Sequence, residues 1–268
     1  MQPIEPKSSS AEKQLTELMQ TKPAIQKLRI LTLNMHKGFT PFNRFILPEL
    51  REAIRSLSTE IVFLQEVHGS HKQQAKRHAT WPETSQYEYL ADTIWPEFSY
   101  GRNAVYPHGD HGNAILSKYP IIRFQNLDVS VGKIEQRGIL HTVLKAPGHN
   151  EVHAICVHMG LREHYRTQQL QMLCNLIERI PPTAPIIIAG DFNDWRKRAD
   201  TILARCNLYE AFVSEYQQPA KSFPARWPLL CLDRIYVRNV TTKNAQVLFQ
   251  RPWSHLSDHA PLMVDIQL

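Results

Sequence analysis

The chain has 268 residues, is 43% hydrophobic and carries a formal net charge of +6. A chain of that length buries a large core, on the order of 70–75% of its unfolded surface. It has no run of about eighteen apolar residues that could cross a membrane as a helix. Four cysteines (Cys156, Cys174, Cys206 and Cys231) lack C-x-x-C spacing, which predicts reduced thiols in a cytoplasmic protein rather than a disulfide framework.

The positive charge suits anionic ligands, but the basic residues are spread along the chain. The only clusters are Lys72, Lys76 and Arg77, and Arg196-Lys197-Arg198, which read as solvated faces. Residues 1–27 carry Pro3, Pro6 and Ser8-Ser9-Ser10 and no apolar signal core. They are expected to be a mobile lead-in to a single domain over 28–268.

In chain order, Leu28–Leu33 predicts a first strand ending at Asn34, with His36-Lys37-Gly38 as a turn. Pro48 at a first helical position, with apolar residues at 50, 53, 54 and 57, predicts a helix over 48–57. Ile61–Leu64 is a buried strand running into Gln65-Glu66-Val67. The polar stretch 68–86 reads as a long loop, Tyr87–Trp95 as a helix and Tyr100–Tyr106 as a strand. Gly109–Gly112 predicts a turn into the strand Asn113–Ser117. Further strands are expected around 121–129, 138–145 and 151–158.

Tyr165–Ile180 has Leu170, Leu173, Cys174 and Ile177 on one face and is the strongest helix. Three β-branched residues, Ile186–Ile188, then lead through Ala189-Gly190 into Asp191-Phe192-Asn193, a buried strand with a polar end. A short helix fits 199–206. Leu230–Val237 and Thr241–Phe249 read as a hairpin pair, and Ala260–Leu268 as the closing strand. Dispersed helices among more numerous strands suit two packed sheets flanked by helices.

Polar residues recur where apolar runs stop: Asn34, Glu66, His158, Asp191, Asn193, and Ser257-Asp258-His259. Each alone could close a turn; only a fold could gather them. Asp233 interrupts an apolar strand, and a buried carboxylate needs a partner. A histidine is the economical one, because Asp holds an imidazole in one tautomer and supports its charged form. Glu66 with one or more of Asn34, Asp191 and Asp258 makes an oxygen-only site, which fits Mg²⁺ or Mn²⁺ rather than Zn²⁺. Such a site, with Asn and His donors for phosphate oxygens, suits phosphoester hydrolysis by activated water. The chain has no G-x-S-x-G and no P-loop.

These residues resemble an ordered motif set. Thr32-Leu33-Asn34, Leu64-Gln65-Glu66-Val67, Gly112–Ser117, Val157-His158, Gly190–Asn193, Leu232–Ile235 and Ser257–Leu262 look like the motifs of the endonuclease/exonuclease/phosphatase superfamily. The resemblance covers roughly 28–268 and points to an uncharacterised bacterial branch. It implies an α/β fold, a four-layered α/β sandwich with the site at one edge of two mixed sheets. It implies Mg²⁺ on Glu66 with Asn34 beside it and Asp258 near the metal. Asp191 would position or deprotonate the attacking water, Asn193 and His158 would hold the phosphate, Asn113 would contact phosphate or support the site, and Asp233 would orient His259. Nuclease members pair a carboxylate with the histidine at the position of His158; Asp110 and Glu163 are the candidates here.

The Gly112–Ser117 block and Met159–Arg162, followed by Arg166 and Gln169, resemble the sphingomyelinase-like side of the superfamily. The first expectation is therefore a phosphodiesterase acting on a lipid headgroup or small phosphodiester. A DNA or RNA endonuclease is the alternative, with Lys72, Lys76, Arg77 and Trp81 near nucleic acid. A binding module that kept the fold without the chemistry is the third.

Overall fold

Apolar runs with no polar alternation make strands buried on both faces, and the first two strands show how. In β1 (Lys27–Asn34), Leu28 and Ile30 enter one core while Leu31 and Leu33 enter another. In β2 (Ile61–His71), Ile61 and Phe63 follow the first pair, and Val62 and Leu64 the second. Period-two alternation thus feeds two cores from one strand. The computed structural model describes residues 27–132 and 134–268, so the expected lead-in lies, except for Lys27, outside the described residues.

The remaining strands are β3 (Glu97–Tyr106), β4 (Gly109–Ser117), β5 (Ile121–Asp128), β6 (Gly138–Ala146), β7 (His149–His158), β8 (Ile186–Asp191), β9 (Tyr209–Glu210), β10 (Asp233–Arg238), β11 (Thr241–Val247) and β12 (Leu262–Gln267). The helices are α1 (Leu47–Ser56), α2 (Lys72–Arg77), α3 (Gln86–Ala91), α4 (Glu163–Ile177), α5 (Arg198–Ala204) and α6 (Ala211–Tyr216). The strands form two six-stranded sheets, ordered β11-β12-β1-β2-β4-β3 and β5-β6-β7-β8-β10-β9. The core between them packs Leu28, Ile30, Phe63 and Ile115 against Leu140, Ala154, Ile187 and Ile235. Outside the first sheet, Leu50 and Ile54 of α1 meet Leu31 and Val62. Outside the second, Leu170, Leu173 and Ile177 of α4 meet Ile155 and Ile188. The result is the expected four-layered α/β sandwich.

Each sheet contains one parallel pair: β1 with β2, joined across α1, and β7 with β8, joined across α4. All other pairings are antiparallel. Strand carboxyl ends in α/β sheets are where ligands collect. Here they deliver Asn34 opposite Gln65, and His158 opposite Asp191.

Several expectations are corrected. The stretch 68–86 is not one loop: β2 continues to His71 through two register shifts, and α2 and the start of α3 follow. The helix expected at 87–95 ends at Ala91, where Asp92 takes a positive φ of 43°. Gly109–Gly112 is strand, because the β3–β4 hairpin turns at 107–108. The pair 230–237 and 241–249 is not a hairpin. Both edges of β10 are taken, by β8 and β9, and Asn239 ties the turn to Pro182 and Ala184, so β11 joins β12 in the other sheet. The short elements β9 and α6 had no periodic signal.

Candidate active site

Asp191 is the last residue of β8 and is 2% exposed. Its Oδ1 accepts from the Asn193 backbone N–H at 2.9 Å, and its Oδ2 accepts from Asn34 Nδ2 at 3.1 Å. The second bond joins the carboxyl ends of the two parallel pairs across the sheets. His158 Nε2 stands 3.5 Å from the same Oδ2, and His259 Nε2 stands 3.9 Å from it. Asp191, Asn34, His158 and His259 therefore form one cluster, although they span more than two hundred positions in sequence.

Asp233 opens β10 directly opposite Asp191 in the ladder. Two buried carboxylates facing each other repel. The offsetting charge comes from His259, whose Nδ1 lies 2.8 Å from Asp233 Oδ2. Burial works against a charged imidazole, but Asp233 and Asp191 outweigh it and push His259 up to about 10. The expected Asp233–His259 pair is thus present, and it bridges two sheets rather than neighbouring strands. Phe223 packs against the His259 ring at 5.1 Å between centroids. Ser257 Oγ donates to the Asn34 carbonyl at 2.7 Å and accepts the His259 backbone N–H at 3.3 Å.

The other titratable groups are tuned in opposite directions. Burial pushes Asp191 up to about 7, with Asp233 adding to the shift. His259 and the bonds from Asn193 and Asn34 oppose it. His158 is held neutral, well below its ordinary range, by burial first and then by Arg137, His259, His111 and Lys37. Neither carboxylate expected beside His158 is there. Asp110 accepts from Tyr100 Oη and Ser70 Oγ, and Glu163 pairs with Arg196 and Arg198. Asp191 takes that place.

Asn193 is 7% exposed with a φ of 50°, and its Nδ2 donates to the Met159 carbonyl at 3.0 Å. Asn113 Nδ2 donates to the Gly138 and Cys156 carbonyls, tying β4 to the second sheet; its Oδ1 is buried with no partner among the described residues. Because both neighbours are acceptors, the amide orientation is fixed and Asn113 has no free donor for phosphate. Its geometry is that of a supporting residue.

Glu66 sits in the first register shift of β2 at a φ of 56°, which turns it out of the ladder. Its Oε2 faces Lys37 Nζ at 3.8 Å. Asn34 Oδ1 accepts from the His36 N–H, and Asp258 is held near Asn34 through Ser257. Asn34, Glu66 and Asp258 are oxygen donors, and the Glu66 side chain is 20% exposed, a donor chemistry that fits a hard divalent cation. Asp191, Asp233 and His259 also bring ligand atoms within 4.8 Å of one another. In that trio the imidazolium of His259 offsets one of the two carboxylates, and a cation there would have to displace the proton that Asp233 and Asp191 hold on the ring. Two cations escaped sequence reasoning. Lys37 is hidden in a turn, and Arg137, 14% exposed and bonded to the Met159 carbonyl, lies beside His158 with no local motif to mark it.

Residues 31–259 match the endonuclease/exonuclease/phosphatase family. The chain belongs to that family. The family generally works with a divalent metal, and membership supports a phosphoester hydrolase. Among curated relatives, the uncharacterised protein YbhP of Escherichia coli K12 is 51% identical over 243 residues, 90% of this chain and 96% of YbhP. The fold is similar to that of the family member from Beutenbergia cavernae DSM 12333, with a TM-score of 0.71, 18% identity, and 91% and 72% of the two chains covered. It is also similar to D. rerio TDP2 complexed with a single-strand DNA product, with a TM-score of 0.64, 17% identity, and 91% and 100% covered. No helix among the described residues is long and apolar enough to cross a membrane.

Proposed function

We propose that the protein is a Mg²⁺- or Mn²⁺-dependent phosphodiesterase that hydrolyses a small phosphodiester, or the ester of a lipid headgroup, by direct attack of water. The observation that carries this reading is the buried arrangement in which one oxygen of Asp191 faces Asn34, His158 and His259 while Asp233 holds the far side of His259. A carboxylate poised near neutrality suits a general base, so Asp191 takes the proton of the attacking water. His259, cationic and fixed by Asp233, offsets charge on the phosphate as it builds up. Neutral His158 and the amide of Asn193 orient the phosphate oxygens, with Arg137 and Lys37 adding positive potential. When bound, the metal supplies Lewis acidity and stabilises the leaving oxygen; Glu66, Asn34 and Asp258 would hold it.

A nucleic-acid substrate calls for cations free to track a backbone. Arg196 and Arg198 are engaged by Glu163, which weighs against the Arg196-Lys197-Arg198 cluster in that role and leaves Lys72, Lys76 and Arg77 as the cations such a substrate would use. The test is a panel of bis-p-nitrophenyl phosphate, phosphatidylcholine, sphingomyelin and supercoiled plasmid, each with Mg²⁺ and with excess EDTA. Metal-dependent hydrolysis of a diester supports the reading, and plasmid nicking in preference to the small esters moves it to a nuclease. No turnover of any substrate leaves a binding module and refutes it.

A further inference from the structure

Beside the proposed metal ligands lies a cavity of about 450 Å³ that the chemistry above does not use. That volume is in the range of pockets that take small ligands. Lys37 belongs to its wall and also faces Glu66 at 3.8 Å, and His36, another wall residue, donates its backbone N–H to Asn34. The cavity therefore adjoins the site, on the side of the first sheet.

Its lining excludes some groups and favours others. Rings dominate: Phe39, His68, His71, Tyr106 and His111 all line it. Tyr106 and His111 are stacked at 5.4 Å and 27°, and His68 meets His71 edge-on at 4.9 Å. Asn43 and Gln74 add two amides, each able to donate and accept. Among the described residues of the lining there is no carboxylate and no aliphatic side chain, and Lys37 is a cation. A quaternary ammonium could lie against the rings, but it would meet the Lys37 cation, and the neighbouring carboxylate, Glu66, already faces that lysine at 3.8 Å. An acyl chain would find polar edges instead of an aliphatic wall. A planar heterocycle gains ring faces to stack on and amide and imidazole edges to hydrogen-bond.

We propose that this cavity is a subsite for a heteroaromatic base, so that the preferred substrate is a nucleoside phosphodiester rather than a choline ester. The proposal rests on the phosphodiesterase reading for its substrate, but the cavity can be tested without turnover. Two kinds of measurement decide it, using the full-length protein. The first compares kcat/KM for thymidine 5′-(p-nitrophenyl phosphate), methyl p-nitrophenyl phosphate and p-nitrophenylphosphocholine, which all release the same phenol. The thymidine ester should exceed the other two by roughly 5- to 100-fold, the scale of one base stacked on protein rings. Tyr106→Ala and Gln74→Ala should bring the thymidine-to-methyl ratio down towards about one; both side chains are partly exposed, so the fold should tolerate the changes.

The second is calorimetric titration of thymidine 5′-phosphate against phosphocholine. Binding of the nucleotide alone, weakened in Tyr106→Ala, supports the subsite even if no ester turns over, in which case only the phosphodiesterase reading falls. A pentathymidylate that binds more tightly than the mononucleotide would identify single-stranded nucleic acid as the source of the base, and equal binding would identify a small nucleotide. Equal turnover of the thymidine and methyl esters, preference for the choline ester, or phosphocholine binding as tight as the nucleotide would each overturn the proposal.

Discussion

Changing Asp233 to Asn keeps the shape of the side chain and removes its charge. Asp233 is 1% exposed, and its Oδ2 holds His259 Nδ1 at 2.8 Å. A buried bond of this charged kind contributes about 1.5–3 kcal/mol, and removing one partner of a buried ion pair costs about 3–5 kcal/mol. Asn can still accept a hydrogen bond, so about 3 kcal/mol is expected. For a chain of this size that lowers Tm by roughly 6–12 °C. The rate per folded molecule should fall at least ~10²-fold, the lower end of what a positioned acid–base group contributes. His259→Ala should cost a similar amount. The double variant should cost little more, because the two residues act as one unit. The assay is p-nitrophenolate release from bis-p-nitrophenyl phosphate at saturating Mn²⁺, normalised to the folded fraction by circular dichroism. A variant with lowered Tm and an almost unchanged rate would make Asp233 purely structural. Losses that multiply in the double variant would show two independent residues.

Three further outcomes are expected. Excess EDTA should abolish hydrolysis and Glu66→Gln should weaken Mn²⁺ binding in a calorimetric titration, whereas full activity in EDTA would remove the metal from the mechanism. Burial pushes the Glu210 carboxyl up to about 7 from an ordinary 4.5. Between those pH values the unfolded chain has released this proton while the folded chain keeps it, so stability falls as pH rises through the window, by roughly 3 kcal/mol in all. Glu210→Gln should flatten that part of the urea-midpoint profile, and a variant with the parent's pH dependence would contradict the assignment. Thiol titration of the unfolded protein without reductant should find four thiols, as the four free cysteines require; finding two would mean a disulfide.

The site was legible wherever a residue sits at the end of an apolar run. Asn34, His158 and Asp191 each terminate a strand buried on both faces. A polar side chain there has left the core without leaving the fold, and the change of composition marks the spot. Asp233 was legible for the opposite reason: a carboxylate among Leu232, Ile235 and Val237 had to be matched by something. What stayed hidden depends on register and packing, which no local window contains. The bulge that turns Glu66 outward is a mismatch between β2 and β4. The nearness of Arg137 to His158 depends on how β6 lies against β7. The carboxylate beside His158 is Asp191 rather than Asp110 or Glu163, because His158 and Asp191 are direct partners in a parallel ladder.

That ladder explains why assembling the site and closing the sandwich are one problem. Asp191 and Asp233 face each other on adjacent strands of the second sheet, which taken alone is an unfavourable pair. Their counter-charge arrives with His259, three residues before β12, and β12 pairs with β1 in the first sheet. The second sheet can hold two buried carboxylates only once the first sheet has placed the histidine between them. Asn34, at the end of β1, completes the link by donating to Asp191. A device that needs both sheets to be electrically tolerable also holds its groups in fixed positions, because relaxing any one of them exposes an unpaired charge in a dry interior. In the proposed mechanism the same coupling would serve Asp191 as the base: its carboxyl stays poised near neutrality only while His259, Asp233 and Asn34 are all in place.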